Sequence, residues 1–382
     1  MPVINYLAVR KSFLFMIVGL SVFILYLYFF AGFGQILDLI QKVNQFEFIL
    51  FFSLTAVSML LSMFFTSMAW YELLKTLSIN ISKRRAFLYN WVGNFVDLVV
   101  PCETVCGEIA RLSLVYSEVK EDFGKTVASV VSLRIITTVA ILGVLAVGSV
   151  SIILNSQANF VIINVLLITL ALSIIQAVVL LYLAIKAKAS KRLSNILARF
   201  AKIFVGKRFN TDDLQKRTEK NLAVFHEGFE TLRRHPRSII KPLIYSTLGW
   251  LFQISVYFLV FYALGFKGIA FGLVILVASI TLYIQALSAA FSVGITEIIM
   301  ATLYLSSGIP NAIGGAATAM IRIMIFWFQL LVGFVIIQWI GAKKLLSSTP
   351  TPAVTSQDLS MREHDAREHD VVQEEEVRKD AG

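Results

Sequence analysis

Two glutamate–arginine pairs are the residues of this chain whose types and spacing could do chemistry. Glu108 precedes Arg134 by 26 residues, and Glu297 precedes Arg322 by 25 residues. Arginine presents a planar fork of N–H donors that matches a phosphate or a carboxylate, and glutamate can pair with it or bind a cationic or hydroxyl-rich group. Two pairs at nearly one spacing predict an internal repeat, which in membrane proteins is typical of transport.

Both arginines lie within long apolar stretches. Between residues 126 and 185 the one charged residue is Arg134, and between 242 and 342 the charged residues are Lys267, Glu297 and Arg322. An ionisable side chain within hydrocarbon costs about 2.5–3.5 kcal/mol on insertion scales, so each is a candidate for function. Gly107 and Gly294 precede the two glutamates and would allow close backbone approach where the chain turns.

The composition excludes an ordinary soluble globule. The chain is 57% hydrophobic and 15% charged, with a mean hydropathy of +0.77, whereas soluble domains are about 25% charged. Most apolar blocks reach the roughly 20 residues that a membrane-crossing helix needs, and the alternating pattern of a β-barrel is absent. We therefore expect an all-α, polytopic membrane protein.

The apolar blocks predict six full spans and two interrupted segments. The segments at 87–112 and 270–308 each contain a Gly, Pro or polar break near the centre, followed by a glutamate. Broken helices are tolerated in a bilayer only where their free backbone groups face protein or water, so we predict two re-entrant helix pairs. The six full spans are predicted at 13–32, 46–69, 126–153, 159–185, 242–264 and 316–340.

The distribution of Lys and Arg predicts the orientation of these spans. The positive-inside rule places both termini, the region around Arg84 and the loop 186–241 in the cytoplasm, and Lys267 outside. The unit at 46–153 and the unit at 242–340 are then upside-down copies, which predicts an inverted repeat of the kind that transporters use. We expect residues 1–344 to form the transmembrane domain of a protein in the cell membrane.

The loop 186–241 contains fifteen Lys or Arg and five Asp or Glu, a net charge of +10, whereas the tail 345–382 has four bases and nine acids. Apolar residues at helical spacing from Leu193 predict an amphipathic helix for the anionic inner membrane surface. That helix could instead cap the membrane domain or sense lipids. The tail is expected to be disordered and cytoplasmic. The basic residues of the predicted helix are Lys191, Arg192, Arg199, Lys202, Lys207 and Arg208.

At the two pairs the chain resembles a known family. The residues that carry the resemblance are Pro101-x5-Gly107-Glu108-x2-Arg111, Arg134, Gly294-x2-Glu297 and Arg322. Over about residues 10–342 the chain is similar to the membrane region of lysylphosphatidylglycerol synthetases, also called the flippase-like family. The resemblance implies a domain that moves aminoacylated or other polar lipids between leaflets, with Arg111 among its site residues. The synthetase domain is absent from this sequence, which implies a stand-alone flippase-like protein.

We expect the chain to flip a polar or charged lipid between leaflets. The residues leave two alternatives: a membrane-embedded transferase acting on a lipid-linked substrate, and a non-transporting partner of a lipid-modifying enzyme. Nucleotide-binding loops and zinc-protease motifs are absent from the sequence, so we predict no catalytic residue, cofactor, metal or nucleic-acid partner. Each Glu–Arg pair could line the lipid path or act only as a buried clamp between helices.

Overall fold

The computed structural model describes residues 33–99, 105–119, 123–154, 159–185, 224–287 and 292–347, together with Ser21 and Tyr28. Three predicted features lie outside these residues: the first span at 13–32, the basic amphipathic helix at 191–208 and the acidic tail beyond 347. The chain divides into two compact units, residues 1–336 and 337–382. Everything below concerns the first unit.

Every regular element in the described ranges is a helix. Residues 224–234 are helical, and a π-helical turn at Ile323–Phe328 joins the last two helices into one continuous element. The other helices are α1 (Phe33–Lys42), α2 (Gln45–Thr76), α3 (Lys83–Val99), α4 (Val105–Val119), α5 (Phe123–Leu154), α6 (Phe160–Ile185), α7 (Arg237–Ala263), α8 (Phe271–Leu287), α9 (Ser292–Ser306), α10 (Asn311–Arg322) and α11 (Gln329–Ser347).

Five helical segments in the described ranges are long and apolar enough to cross a membrane. They coincide with the five predicted spans that lie within these ranges, so the prediction of an all-α, polytopic membrane protein is confirmed. Many apolar side chains of α6 point outward, among them Phe160 at 84% exposure and Ile175 at 59%, as expected of a helix in contact with lipid. The five segments are Gln45–Thr76, Phe123–Leu154, Phe160–Tyr182, Arg237–Ala263 and Asn311–Ile340.

Two pairs of shorter helices occupy the positions where the sequence predicts re-entrant segments. The first helix pair is α3 and α4, with 17 and 15 residues, and the second helix pair is α8 and α9, also with 17 and 15 residues. At a rise of 1.5 Å per residue these helices are about 22–26 Å long, which is less than the roughly 30 Å of a hydrocarbon core.

Within each helix pair, contacts place the start of the first helix and the end of the second helix at the same end of the bundle. In the first pair, Arg85 and Tyr89 near the start of α3 both bond to Glu118 near the end of α4. In the second pair, the end of α9 accepts a hydrogen bond from Asn159, whose Nδ2 lies 2.6 Å from the carbonyl oxygen of Ser306. These contacts agree with two re-entrant pairs, although re-entrance and the inverted repeat remain predictions.

The start of the second pair lies at that same end. A Cβ added to Gly272 in α8 would lie 2.6 Å from the carbonyl oxygen of Gly148 near the end of α5. Beyond this contact, α8 is enclosed: all residues of Leu273–Ala278 are at most 3% exposed. A helix that is apolar on all sides belongs either in a protein core or in contact with lipid, and α8 takes the first position, within the largest hydrophobic cluster of the described residues.

Candidate functional site

The first helix pair is held together by close backbone contact and by Asp97. A Cβ on Gly107 would lie 2.1 Å from the carbonyl oxygen of Gly93, so α3 and α4 touch at their glycines. Beside this contact, the backbone N–H of Gly107 donates to Asp97 Oδ1 at 2.7 Å. A carboxylate is favourable there because the first turn of α4 presents unpaired N–H groups and the positive end of the helix dipole.

Arg111 extends from α4 across the glycine contact. Its Nη2 lies 3.7 Å from Asp97 Oδ2, and its Nε would lie 2.2 Å from a Cβ on Gly93. A side chain at position 93 would therefore displace the guanidinium of Arg111. The glycine explains how a long cationic side chain can lie flat between two helices.

Glu108 and Arg134 form the predicted ion pair between α4 and α5. Arg134 Nε lies 3.5 Å from Glu108 Oε1, and the two side chains remain 34% and 28% exposed. Arg134 is the twelfth residue of α5, about 17 Å along that helix at 1.5 Å per residue. The pair is therefore loose and accessible, and Arg134 lies well inside the helix, away from either end.

The exposed sides of this pair face a cavity of about 250 Å³, here called the polar cavity. It lies between α2, α3, α4, α5, α7, α8, the π-helical turn and the start of α11. Glu108, Arg111 and Arg134 supply its charges among the described residues, and the remaining polar lining is uncharged. A polar cavity enclosed by membrane helices is the environment in which buried ionisable groups are tolerated. The uncharged polar residues of its lining are Ser62, Thr66, Asn90, Asn94, Thr137, Ser246, Gln253, Gln285 and Gln329.

Four atoms on lining residues of the polar cavity are buried without a hydrogen-bond partner in the described part of the chain. They are Asn90 Oδ1, Arg111 Nε, Ser246 Oγ and Trp250 Nε1. Leaving a buried polar group unsatisfied costs about 1–3 kcal/mol. The four comprise a carbonyl acceptor, two N–H donors and a hydroxyl, so unsatisfied polar groups of both kinds are concentrated beside the polar cavity.

Other lining residues are already fixed by bonds between helices. Ser62 Oγ donates to Gln253 Oε1 at 3.2 Å, which joins α2 to α7. Asn94 of α3 donates to Gln329 Oε1, and Gln329 Nε2 lies 3.3 Å from the sulfur of Met59. These bonds connect the two halves of the chain around the polar cavity.

The second glutamate–arginine pair has a different environment. Arg322 Nε donates to Glu297 Oε1 at 2.6 Å, and the two side chains are 2% and 1% exposed. The guanidinium of Arg322 lies 5.0 Å from the ring centre of Phe326, a cation–π contact. Neither Glu297 nor Arg322 is among the described residues that line the polar cavity.

The π-helical turn begins immediately after Arg322, at Ile323–Phe328. It brings Phe326 to Arg322 within one helix and precedes Gln329, which reaches the polar cavity. Such turns are rare and occur often at functional positions of helices. The sequence analysis missed this feature, since no Pro or Gly marks it.

The structure thus separates the predicted site residues into two groups. Glu108, Arg111 and Arg134 come together at the polar cavity, with Gly107 at the helix contact beside it. Gly294 lies in the first turn of α9, and the six basic residues of the predicted amphipathic helix lie outside the described residues. The sequence analysis missed the uncharged polar residues of the lining, although carboxamide side chains within apolar helices are a recognisable signal. The carboxamide residues of the lining are Asn90, Asn94, Gln253, Gln285 and Gln329.

Comparison with known proteins gives consistent matches over most of the chain. The family model described as the lysylphosphatidylglycerol synthase TM region matches residues 16–333. A UPF0104 membrane protein of Pyrococcus horikoshii is 25% identical over 347 residues, which are 89% of this chain and 99% of that protein. A UPF0104 membrane protein of Methanothermobacter thermautotrophicus is 21% identical over 313 residues, 81% of this chain and 90% of that protein. No solved structure gives a significant match.

Proposed function

Since this chain belongs to the family of the lysylphosphatidylglycerol synthase transmembrane region, we propose that it moves a polar or charged lipid between the leaflets of a membrane. The observation that supports the proposal best is the polar cavity among membrane-length helices, with an accessible ion pair on its wall. A headgroup crossing a bilayer must exchange its water for protein groups, because polar groups that lose water without a replacement cost several kcal/mol.

In this proposal the polar cavity holds the headgroup. Arg134 binds its anionic part through the guanidinium fork, and Glu108 accepts hydrogen bonds from amine or hydroxyl groups. Arg111 is kept in place by Asp97 and adds a second positive charge to the cavity wall. Because Glu108 and Arg134 lie 3.5 Å apart and are 28% and 34% exposed, a headgroup can insert between them at small cost.

We assign Glu297 and Arg322 a structural role within the same proposal. Their 2.6 Å contact at nearly complete burial joins α9 to α10. Opening it would expose two charges to the interior, and an uncompensated buried charge costs about 3–5 kcal/mol. The pair therefore clamps the second helix pair while the first pair contacts lipid.

The proposal is tested in proteoliposomes of the purified full chain with fluorescent phosphatidylglycerol and phosphatidylethanolamine as probes. We expect Glu108→Gln with Arg134→Gln to fold and to move lipid at least tenfold more slowly. The reason is that a hydrogen bond to a charged group contributes about 1.5–3 kcal/mol. A loss of about 1.4 kcal/mol corresponds to a tenfold change in a binding constant, and we expect the rate of lipid movement to fall with it. Lys267→Gln, which breaks an exposed pair with Glu47, is the matched control and should keep the native rate.

The same vesicles separate the alternatives. Transbilayer movement of the probe supports transport, whereas conversion of the probe into a new lipid species would identify a transferase. Neither movement nor conversion would indicate a non-transporting partner of a lipid-modifying enzyme. If a folded Glu108→Gln, Arg134→Gln variant moves lipid at the native rate, the headgroup does not cross the membrane through the polar cavity.

A further inference from the structure

A second cavity of about 350 Å³, here called the apolar cavity, lies between α2, α5, α6, α7 and the helical residues 224–234. Its lining is almost wholly aliphatic and aromatic, with Ser132 and Arg233 as its polar members among the described residues. Its volume is within the range of small-molecule pockets. None of the residues proposed above to bind a headgroup lines it.

Helix α5 separates this cavity from the polar one. Val130, Leu133, Arg134 and Thr137 line the polar cavity, while Ser132, Ile135, Ile136 and Val139 line the apolar cavity. Each set has the spacing of one helical stripe, and the two stripes are offset by two residues, about 200° around the helix. The helix that carries Arg134 is therefore in contact with both cavities.

The apolar cavity opens on the side that faces lipid. Val139 is 44% exposed and Leu181 is 38% exposed at its edge, and apolar side chains at the surface of membrane helices contact acyl chains. An apolar opening toward hydrocarbon admits a chain without any cost of removing it from water. An acyl chain is the molecule of that chemistry present around these helices.

The other end of the apolar cavity is basic. Arg233 lines the cavity with its side chain 67% exposed, and Arg234, Arg237 and Lys241 follow it closely in the sequence, all exposed. One nearby carboxylate, that of Glu230, contacts both Arg233 and Arg234, at 3.5 and 3.2 Å. An excess of positive charge beside an apolar opening favours an anionic headgroup over a zwitterionic one.

We propose that the apolar cavity binds an acyl chain of an anionic phospholipid, with the phosphate at Arg233 and its basic neighbours. This lipid is separate from the one whose headgroup enters the polar cavity. Ser132 lines the cavity, and its buried hydroxyl has no hydrogen-bond partner in the described residues. A chain seated there packs directly on α5, so its presence would stiffen the helix that positions Arg134.

The test measures lipid binding to the full chain in detergent by native mass spectrometry, with dioleoyl-phosphatidylglycerol and dioleoyl-phosphatidylcholine as probes. We expect wild type to retain one phosphatidylglycerol, and Val139→Phe to bind it at least tenfold more weakly because the ring fills the cavity mouth. Val147→Phe is the matched control, since Val147 is also an exposed valine of α5, and it should bind as wild type does.

Two further variants locate the lipid. Arg233→Gln, at a position too exposed to disturb folding, should reduce phosphatidylglycerol binding to the level of phosphatidylcholine. In the Glu108→Gln, Arg134→Gln background, Val139→Phe should still weaken phosphatidylglycerol binding relative to Val147→Phe, because the apolar cavity is separate from the polar cavity. Equal binding of both lipids to wild type, no retained phosphatidylglycerol, or equal binding by the Val139→Phe and Val147→Phe variants would each overturn the proposal.

Discussion

At the scale of single residues, burial distinguishes two ion pairs that look alike in the sequence. Glu108 and Arg134 are 3.5 Å apart and partly exposed to a cavity, whereas Glu297 and Arg322 are in close contact and buried. Each member of a partly exposed pair can exchange its partner for a ligand, because solvent or ligand groups replace the lost interaction. A buried pair can exchange only at the cost of an unpaired interior charge.

The buried pair should respond to mutation as a clamp. Arg322→Met removes the guanidinium that lies 2.6 Å from the buried carboxylate of Glu297, so we expect a loss of about 3–5 kcal/mol in stability. Arg322→Met with Glu297→Gln removes both charges and should be more stable than the single variant. Thermal unfolding in detergent measures the difference in stability between the two variants. Lys267→Gln, which removes the exposed pair, should change the stability of the protein by less than about 1 kcal/mol. A double variant as unstable as the single one would contradict the clamp.

Two tryptophans test the polar lining of the cavity. Trp70 Nε1 donates to Ser129 Oγ at 3.1 Å, while Trp250 Nε1 is buried without a partner in the described residues. Trp70→Phe should therefore lose about 0.5–1.5 kcal/mol more stability than Trp250→Phe, since it removes one buried hydrogen bond. The hydroxyl of Ser129 keeps the bond that it donates to the carbonyl oxygen of Thr126. Trp250→Phe should instead slow lipid movement in the proteoliposome assay. Equal destabilisation by the two substitutions would argue against a free indole N–H at the polar cavity.

At the scale of elements, the first helix pair depends on glycine where its two backbones touch. The contact lets Asp97 bond the start of α4 and lets Arg111 lie across Gly93. The helix pair thereby presents Glu108 and Arg111 to the polar cavity from a short helix. The position of the charged groups follows from how closely α3 and α4 approach.

A single methyl group should disturb this pair. Gly107→Ala places a Cβ 2.1 Å from the carbonyl oxygen of Gly93, so the helices must separate, at an overpacking cost of about 1–3 kcal/mol. We expect lower thermal stability together with reduced lipid movement. Gly143→Ala in α5, where nothing lies within 4 Å of the added Cβ, should be neutral or stabilising by up to about 1 kcal/mol. Equal behaviour of the two variants would contradict the close contact.

At the scale of the whole molecule, helices far apart in sequence enclose the polar cavity. Helices α2 and α7 pack along each other, and Gly249 brings them close enough that an added Cβ would lie 2.8 Å from Thr66 Oγ1. The exposed pair of Glu47 and Lys267 joins the start of α2 to the turn after α7. These two helices therefore run in opposite directions, which agrees with the predicted orientations of the two halves.

The orientation in the membrane can be tested by labelling. In a Cys102→Ser, Cys106→Ser background we expect Lys267→Cys to react with an impermeant reagent from outside the cell. Arg84→Cys should react only from inside, since the positive-inside rule places that basic segment in the cytoplasm. Folding of the background is checked first because Cys106 is disulfide-bonded. Labelling of both positions from one side would contradict α2 as a full span, and labelling of the loop 186–241 from outside would contradict the inverted repeat.

Much of the architecture could be predicted from the sequence. Five predicted spans coincide with membrane-length helices, and the breaks before Glu108 and Glu297 fall between the short helices of the two pairs. The π-helical turn after Arg322 was missed because it has no local sequence signal. The sequence analysis missed the uncharged residues of the cavity lining. Asn90 and Gln253 line one cavity only because the tertiary structure brings α3 and α7 together.

The sequence by itself determined the class of protein, its spans and its two glutamate–arginine pairs. It could do so because apolar length and scarcity of charge are local properties that a bilayer selects directly. The tertiary structure alone decided which pair is accessible, and that α5 separates a polar cavity from an apolar one. Burial depends on which distant helices pack around a residue, so identical residue types at nearly identical spacing acquire different surroundings and different chemistry.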